Sequence, residues 1–295
     1  MTHRTSTKGL WLALFVLWSG LILYVAWSEY RSQEQLIINL AKAEAAGSFN
    51  KDLVYRRWAA KQGGLYVPVS DYTPPNPYLA HVPHRDVVTT DGKQLTLVNP
   101  AYMTRQVHEL GAVQYGAKGH ITSLNPLRPE NIPGEWERSA LERMEKNPQE
   151  IVSVQFIDGQ EFLRLIRPMY TESMCLKCHS GQGYEVGDVR GGVSVSIPLT
   201  PYRQAQQQLF SKDLSHFVLL WLIGVATLLW LRHQVQARLR REDEVQEELA
   251  LSEEKYRALF TDSLIGIGIS DIRTGQLIEC NKKLAHMVER QPEEL

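Results

Sequence analysis

Two long runs without Asp, Glu, Lys or Arg constrain this chain more than any other feature. Gly9 to Trp27 carries Leu10, Trp11, Leu12, Leu14, Phe15, Val16, Leu17, Leu21, Ile22, Leu23 and Val25. Leu214 to Leu231 carries Phe217, Val218, Leu219, Leu220, Trp221, Leu222, Ile223, Val225, Leu228, Leu229 and Trp230. About twenty apolar residues, rising about 1.5 Å each, cross the hydrocarbon core of a bilayer. A cleaved leader competes for the first run, with Ala26 and Ser28 as a small-x-small site. A leader's apolar part spans about 7–15 residues, however, and this run is longer. A soluble core helix competes for the second run, but such helices are rarely apolar on every face. Trp11, Trp18, Trp27, Trp221 and Trp230 include several near the run ends, where indoles favour the membrane interface.

Flanking cations set the orientation. Arg4 and Lys8 precede the first run, and Arg232, Arg238, Arg240 and Arg241 follow the second. The positive-inside rule predicts both termini in the cytoplasm and the middle exported. The expected division is a cytoplasmic N-terminus over 1–8 and a first span over 9–27. An exported domain over 28–213, a second span over 214–231, a helical linker over 232–254 and a further domain start over 255–295 follow. A balance of 32 basic against 33 acidic residues gives no general reason to bind nucleic acid. Three cysteines are too few for a disulfide framework.

The exported segment reads as α+β. Glu29 to Gln62 is rich in helix formers, broken only at Gly47 and ended at Gly63-Gly64, and predicts a helix continuing out of the first span. Leu65, Val67 and Val69 alternate, predicting a short strand within Gly64 to Ser70, and Gln94 to Val98 predicts another. Pro133 at a helix start, then Trp136, Ala140, Leu141 and Met144, give one apolar face at helical spacing. Val152, Val154 and Phe156, the turn Asp158-Gly159, then Phe162, Leu163, Leu165 and Ile166 read as a β-hairpin. Val193, Val195 and Ile197 make a further strand. Thr200 with Pro201 opens a helix that leads back to the second span. Helices at both ends thus enclose a small mixed or antiparallel sheet.

The strongest chemical signal is Cys175-Leu176-Lys177-Cys178-His179, a C-x-x-C-H run. In covalent haem attachment two thiols add to the haem vinyl groups and the following imidazole binds the iron. Three other readings compete. A thioredoxin-like pair needs a βαβ context with the first Cys opening a helix, whereas Ser180-Gly181-Gln182-Gly183 follows here. A zinc site wants a further ligand, and the exported segment has no other cysteine. A structural disulfide over so short a loop is strained. Placement outside the membrane, inferred independently from the cations, agrees with haem attachment. Met174, Met169, Met103, His108, His120, His81 and His84 are the exported side chains that could supply a sixth iron ligand. Met174 is too close in sequence to reach the opposite haem face. Met103 is the first candidate, following a strand and remote from the cysteine pair, and His120 is the second; an open or water-bound position is the alternative to both. Cys280 lies on the cytoplasmic side.

Further blocks accompany the cysteine pair: Ile121 to Asn131 (Ile-Thr-Ser-Leu-Asn-Pro-Leu-Arg-Pro-Glu-Asn), Trp136-Glu137 and Arg167-Pro168. Together and in this order they resemble a family of periplasmic haem-binding, PAS-like domains, long filed as a domain of unknown function, in two-span bacterial signalling proteins. The resemblance covers about residues 29–205. It implies one covalent haem c in a PAS-like pocket, held by Cys175 and Cys178 with His179 on the iron, and a role in redox or gas sensing.

Beyond the second span the linker is highly charged, with Val235, Leu239, Val245 and Leu249 loosely periodic. A solvated helix and a short coiled coil joining two protomers are both open. Glu253 to Phe260, Ile265-Gly266-Ile267-Gly268-Ile269 and Glu279-Cys280-Asn281 look like the start of a cytoplasmic PAS domain. The expectation is that the domain is incomplete and that any kinase or cyclic-dinucleotide output lies in further C-terminal sequence. No catalytic residue is expected in this chain. The predicted function is a membrane receptor that senses redox state or a diatomic gas, as a homodimer, and relays it to the PAS module. A membrane-anchored c-type cytochrome exchanging electrons with a redox partner is the alternative.

Overall fold

The structure, a computed structural model, describes residues 3–289. The side chains of residues 3–7, 177, 178 and 180 lie outside that description, and with them the Cys178 thiol, as do residues 290–295 of the expected PAS start. The fold is mixed α/β, with two compact units. One covers residues 24–216; the other is formed by the two chain ends, up to Leu23 and from Phe217.

Helix α1 runs from His3 to Lys61 and α5 from Thr200 to Thr261, and each contains a segment apolar enough to cross a membrane. Beyond its apolar run, α1 buries Gln33, Ile37, Ala41, Ala45, Phe49, Asp52, Arg56 and Ala59. These recur every three or four residues, so they form one stripe along the helix. Gly47 does not break the helix, because it lies off this stripe and packing holds the turn on either side. A Schellman closure ends α1: the Gly64 N–H donates to Ala59 O at 2.9 Å and the Gly63 N–H to Ala60 O at 3.0 Å. Gly63 has the positive φ that this closure requires at its first residue past the helix, and Gly64 has a positive φ as well.

Two antiparallel sheets follow, where the sequence predicted one. The first has the order β1-β3-β2, from Leu65–Pro68, Gln94–Val98 and Asp86–Val88. Helix α2, Pro100–Tyr115, then leads to the second sheet. That sheet has the order β4-β7-β6-β5, from Lys118–Thr122, Val189–Pro198, Gln160–Tyr170 and Ile151–Ile157. The β5–β6 turn places Asp158 and Gly159 both at positive φ, the geometry that matches strand twist in a two-residue hairpin. Side chains alternate across the sheet. Leu163, Leu165, Val193, Val195 and Ile197 meet Ala41, Ala45 and Phe49 of α1, whose small alanines let the helix approach closely. Ile166, on the opposite face, meets Ala140, Leu141 and Met144 of α3, Glu135–Lys146. Gly134 caps α3, so Pro133 stands one residue outside the helix rather than at its first turn. A short helix, α4, covers Leu176–His179.

In the unit of the chain ends, the two apolar segments are pinned by tryptophans. Trp18 Nε1 donates to Trp221 O at 3.3 Å and Trp221 Nε1 to Ser19 Oγ at 3.0 Å. The chain then forms a hairpin of β8, Gly268–Ser270, and β9, Leu277–Cys280, followed by α6, Lys282–Met287.

Candidate functional site

His179 sits at the end of α4 and faces two adjoining cavities, of about 730 and about 180 Å³, in the unit over residues 24–216. The larger lies within the roughly 300–1,000 Å³ range typical of cofactor sites. The His179 Nδ1–H donates to Gln182 Oε1 at 2.6 Å, and Gln182 Nε2 in turn donates to Asn125 O at 2.8 Å. This relay fixes the tautomer: Nδ1 carries the proton and Nε2 keeps its lone pair. Burial lowers the His179 pKa below its ordinary value, favouring the neutral ring that metal ligation needs. Cys175 is a free thiol on the wall of the larger cavity. Its Sγ accepts from the Glu172 N–H at 3.3 Å, and Glu172 is itself held by Arg57 at 3.0 Å.

Opposite charges are unevenly distributed around this space. Arg56 and Arg190 line both cavities. Arg56 is only 7% exposed, and burial together with the neighbouring Arg190 pushes its pKa down to about 10. Asp52, one turn before Arg56, accepts instead from His108 Nε2 at 2.6 Å. The stripe of α1 thus changes from apolar residues at Ile37 to Phe49 to charged ones at Asp52 and Arg56, where the helix passes from the sheet to the cavity wall.

The expected sixth ligands are placed differently. Met103 lies on α2 and is not among the residues lining either cavity, whereas Tyr102 and Arg105 beside it are. His120 lines the smaller cavity, but both ring nitrogens are engaged: Nδ1 donates to Glu137 Oε2 at 2.9 Å and Nε2 to Glu130 O at 3.0 Å. Its pKa is raised, chiefly by the Glu137 hydrogen bond against the opposing effect of burial. A doubly protonated ring offers no lone pair. His81 and Met169 line both cavities, His108 the smaller and Met174 the larger.

A family model described as Tll0287-like matches residues 31–198, more than half of the chain. The chain belongs to the Tll0287-like family. The matched span runs from α1 through both sheets to the end of β7 and includes Cys175 to His179. The crystal structure of the cyanobacterial haem protein Tll0287 is similar at 16% identity and a TM-score of 0.35, over 53% of this chain and 93% of that one. No curated protein matches the chain significantly.

The sequence blocks now have physical roles in this Tll0287-like domain. Thr122, Ser123, Asn125, Pro126, Leu127 and Arg128 line the smaller cavity. The buried Glu137 accepts from the Gly134 N–H, His120, Arg164 and Ser194, joining α3 to β4, β6 and β7. Arg164 also stacks over Trp136, 4.3 Å from the ring centroid. Arg167 pairs with Glu150 at 2.7 Å and lies over Phe49 of α1. Gln182, Arg56, Arg190 and the Asp52–His108 pair were not singled out from the sequence. Asp52 and Arg56 stand three and seven residues after Phe49, so charges continuing a buried stripe were the available signal.

Proposed function

We propose that the domain over residues 28–213 binds one haem c, attached through Cys175 and Cys178 with His179 Nε2 on the iron, outside a bacterial inner membrane. The hydrogen bonding of His179 carries this reading: its Nδ1 is committed to Gln182, which leaves Nε2 unprotonated, and the residue lines a cavity large enough for a cofactor. The residues fit the group in their chemistry as well. A neutral imidazole, a free thiol and apolar walls such as Phe49, Leu53, Leu79, Leu97 and Met169 share one space. The family takes its name from Tll0287, a cyanobacterial haem protein, which supports the same cofactor.

Cys175 and Cys178 would hold the group by adding S–H across its two vinyl C=C bonds, sulfur to one carbon and hydrogen to the other, with no net oxidation. Bound there, haem would supply a one-electron couple and an iron that could take a diatomic ligand. Glu172 orients the Cys175 sulfur, Gln182 holds the His179 ring, and the apolar wall excludes water. We further propose a PAS-like domain serving as a redox or gas sensor in a homodimeric two-span receptor, both termini cytoplasmic. In this reading α5 relays the signal to a PAS module beginning near residue 255.

Haem staining of denaturing gels tests the cofactor, with the protein made in a host that has a haem-maturation system. We expect a stained band for the wild type, mostly lost in Cys178→Ala. His179→Ala should keep the band but change the visible spectrum. A colourless wild type overturns the reading.

A further inference from the structure

We propose that the buried Arg56 and the half-buried Arg190 form an anion-recognition site on the wall of the cavity that holds His179 and Cys175, built to take a carboxylate or comparable oxyanion. The proposal deepens the haem reading, because the prosthetic group brings carboxylates of its own. A small anion from solution is the other source of the same chemistry.

The pairing of the other half-buried arginines in this unit makes these two stand out, whereas Arg138 and Arg143, also without an ion pair among the described residues, are exposed to solvent. Arg164 has Glu137 at 3.0 Å, Arg167 has Glu150 at 2.7 Å and Arg203 has Glu161 at 2.9 Å. Among the described residues Arg56 makes a single long hydrogen bond, from Nη1 to Thr104 Oγ1 at 3.4 Å. The Arg190 Nε is buried with no partner. Among the described residues neither guanidinium is paired with a carboxylate, and Asp52, the acid nearest Arg56 on α1, is committed to His108. Burying a cation such as Arg56 without a partner is costly, and the half-buried Arg190 beside it adds repulsion. A fold keeps such a pair where an occupant completes it. Guanidinium is the group suited to that task, since its fork of N–H donors matches a planar carboxylate in two parallel hydrogen bonds. Both side chains line the two cavities at once, so a bound group can reach them from the space beside His179.

The test uses the full chain in detergent, as wild type, Arg56→Leu, Arg56→Lys and Arg190→Gln. Haem content is measured first and decides the haem reading by itself. If the prosthetic group supplies the carboxylate, Arg56→Leu and Arg190→Gln retain haem. They then show shifted carboxylate bands in the reduced-minus-oxidised infrared spectrum and a lower midpoint potential, because a cation favours the reduced state. Arg56→Lys should lie between wild type and Arg56→Leu. If a small anion is the occupant, inorganic phosphate or acetate raises the thermal midpoint of the wild type in a concentration-dependent way. Arg56→Leu then weakens that affinity at least tenfold, with the infrared spectrum unmoved. In either case Arg56→Leu should raise the midpoint of the chain made without haem by a few degrees, since it removes a buried unpaired charge. Unshifted carboxylate bands in the haem-loaded variants, with no phosphate or acetate response in the wild type, overturn the site. Where no haem is present, the same lack of anion response overturns it alone.

Discussion

Among single residues, Glu137 ties together more of this fold than any other polar side chain near the cavity. Its carboxylate accepts from a backbone amide, an imidazole, a hydroxyl and a guanidinium, with a side chain only 4% exposed. Removing it in Glu137→Ala leaves Arg164 buried without its anion, and we expect a loss of roughly 3–5 kcal/mol in denaturant unfolding. Burial pushes the Glu137 pKa up, but the bonds from His120 and Ser194 outweigh it and the net direction is downward from 4.5. The His120 pKa moves up from 6.5. A depressed carboxylate stabilises above its ordinary value and loses that contribution as pH falls through the folded pKa. A raised imidazole stabilises below its ordinary value and loses that contribution as pH rises through the folded pKa. The pair therefore contributes most between 4.5 and 6.5. His120→Ala should cost about 1 kcal/mol near pH 5.5 and clearly less near pH 8.5, in midpoints compared with wild type. The visible spectrum should stay unchanged in that variant and in Met103→Ala, because neither side chain offers a lone pair to the cavity. A lost iron–sulfur band in Met103→Ala would return the sixth position to that residue.

At the level of elements, local chemistry decides what can be read in advance. The β5–β6 hairpin was legible because Asp158-Gly159 suits its turn and the flanking residues alternate. The strand expected over Gln94–Val98 is found with those bounds. Helix α2 was missed although Asn99 caps it, its side chain accepting from the Tyr102 N–H at 2.9 Å. Only Tyr102 and Thr104 are buried along it, so no apolar stripe betrays the helix. Strands β2 and β4 lie at sheet edges and take their register from a neighbour, which their own residues do not encode. The C-x-x-C-H run pointed to the candidate site, whose Cys175 and His179 the structure places on one cavity, but the relay through Gln182 and Asn125 depends on a fold that joins distant loops. The apolar segments carry a test of their own. A Cβ on Gly224 would come within 2.2 Å of the Trp18 indole, so the absent side chain is what lets these helices close. Gly224→Leu should cost roughly 1–3 kcal/mol through overpacking, read as a lower midpoint in detergent and a weaker near-ultraviolet tryptophan signal. An unchanged signal would mean that the tryptophans do not hold the segments together.

For the whole molecule, the consequential feature is that α5 is a single uninterrupted helix from Thr200, just after β7, to Thr261, just before β8. Two packed surfaces bear on it along the way. Near the domain, Gln33 Nε2 donates to Asp213 Oδ2 at 2.7 Å and Tyr30 meets Phe210 edge to face at 5.3 Å. Farther on, Trp221 is bonded to Ser19. A continuous helix transmits a small translation or rotation, whereas a flexible joint dissipates it. If the receptor reading holds, a change at the haem reaches the cytoplasmic side through α5. Spin labels at Glu244 of two protomers, in a Cys280→Ser background, should change separation by about 1–2 Å between the oxidised and reduced protein. A Gly-Ser insertion after Lys212 should abolish that change while leaving the haem spectrum intact. A change that survives the insertion would mean that the signal travels by another route, such as α1 or a partner protein. No change in the uninterrupted chain, with rapid electron exchange retained, would leave a membrane-anchored electron carrier as the better account of the same haem.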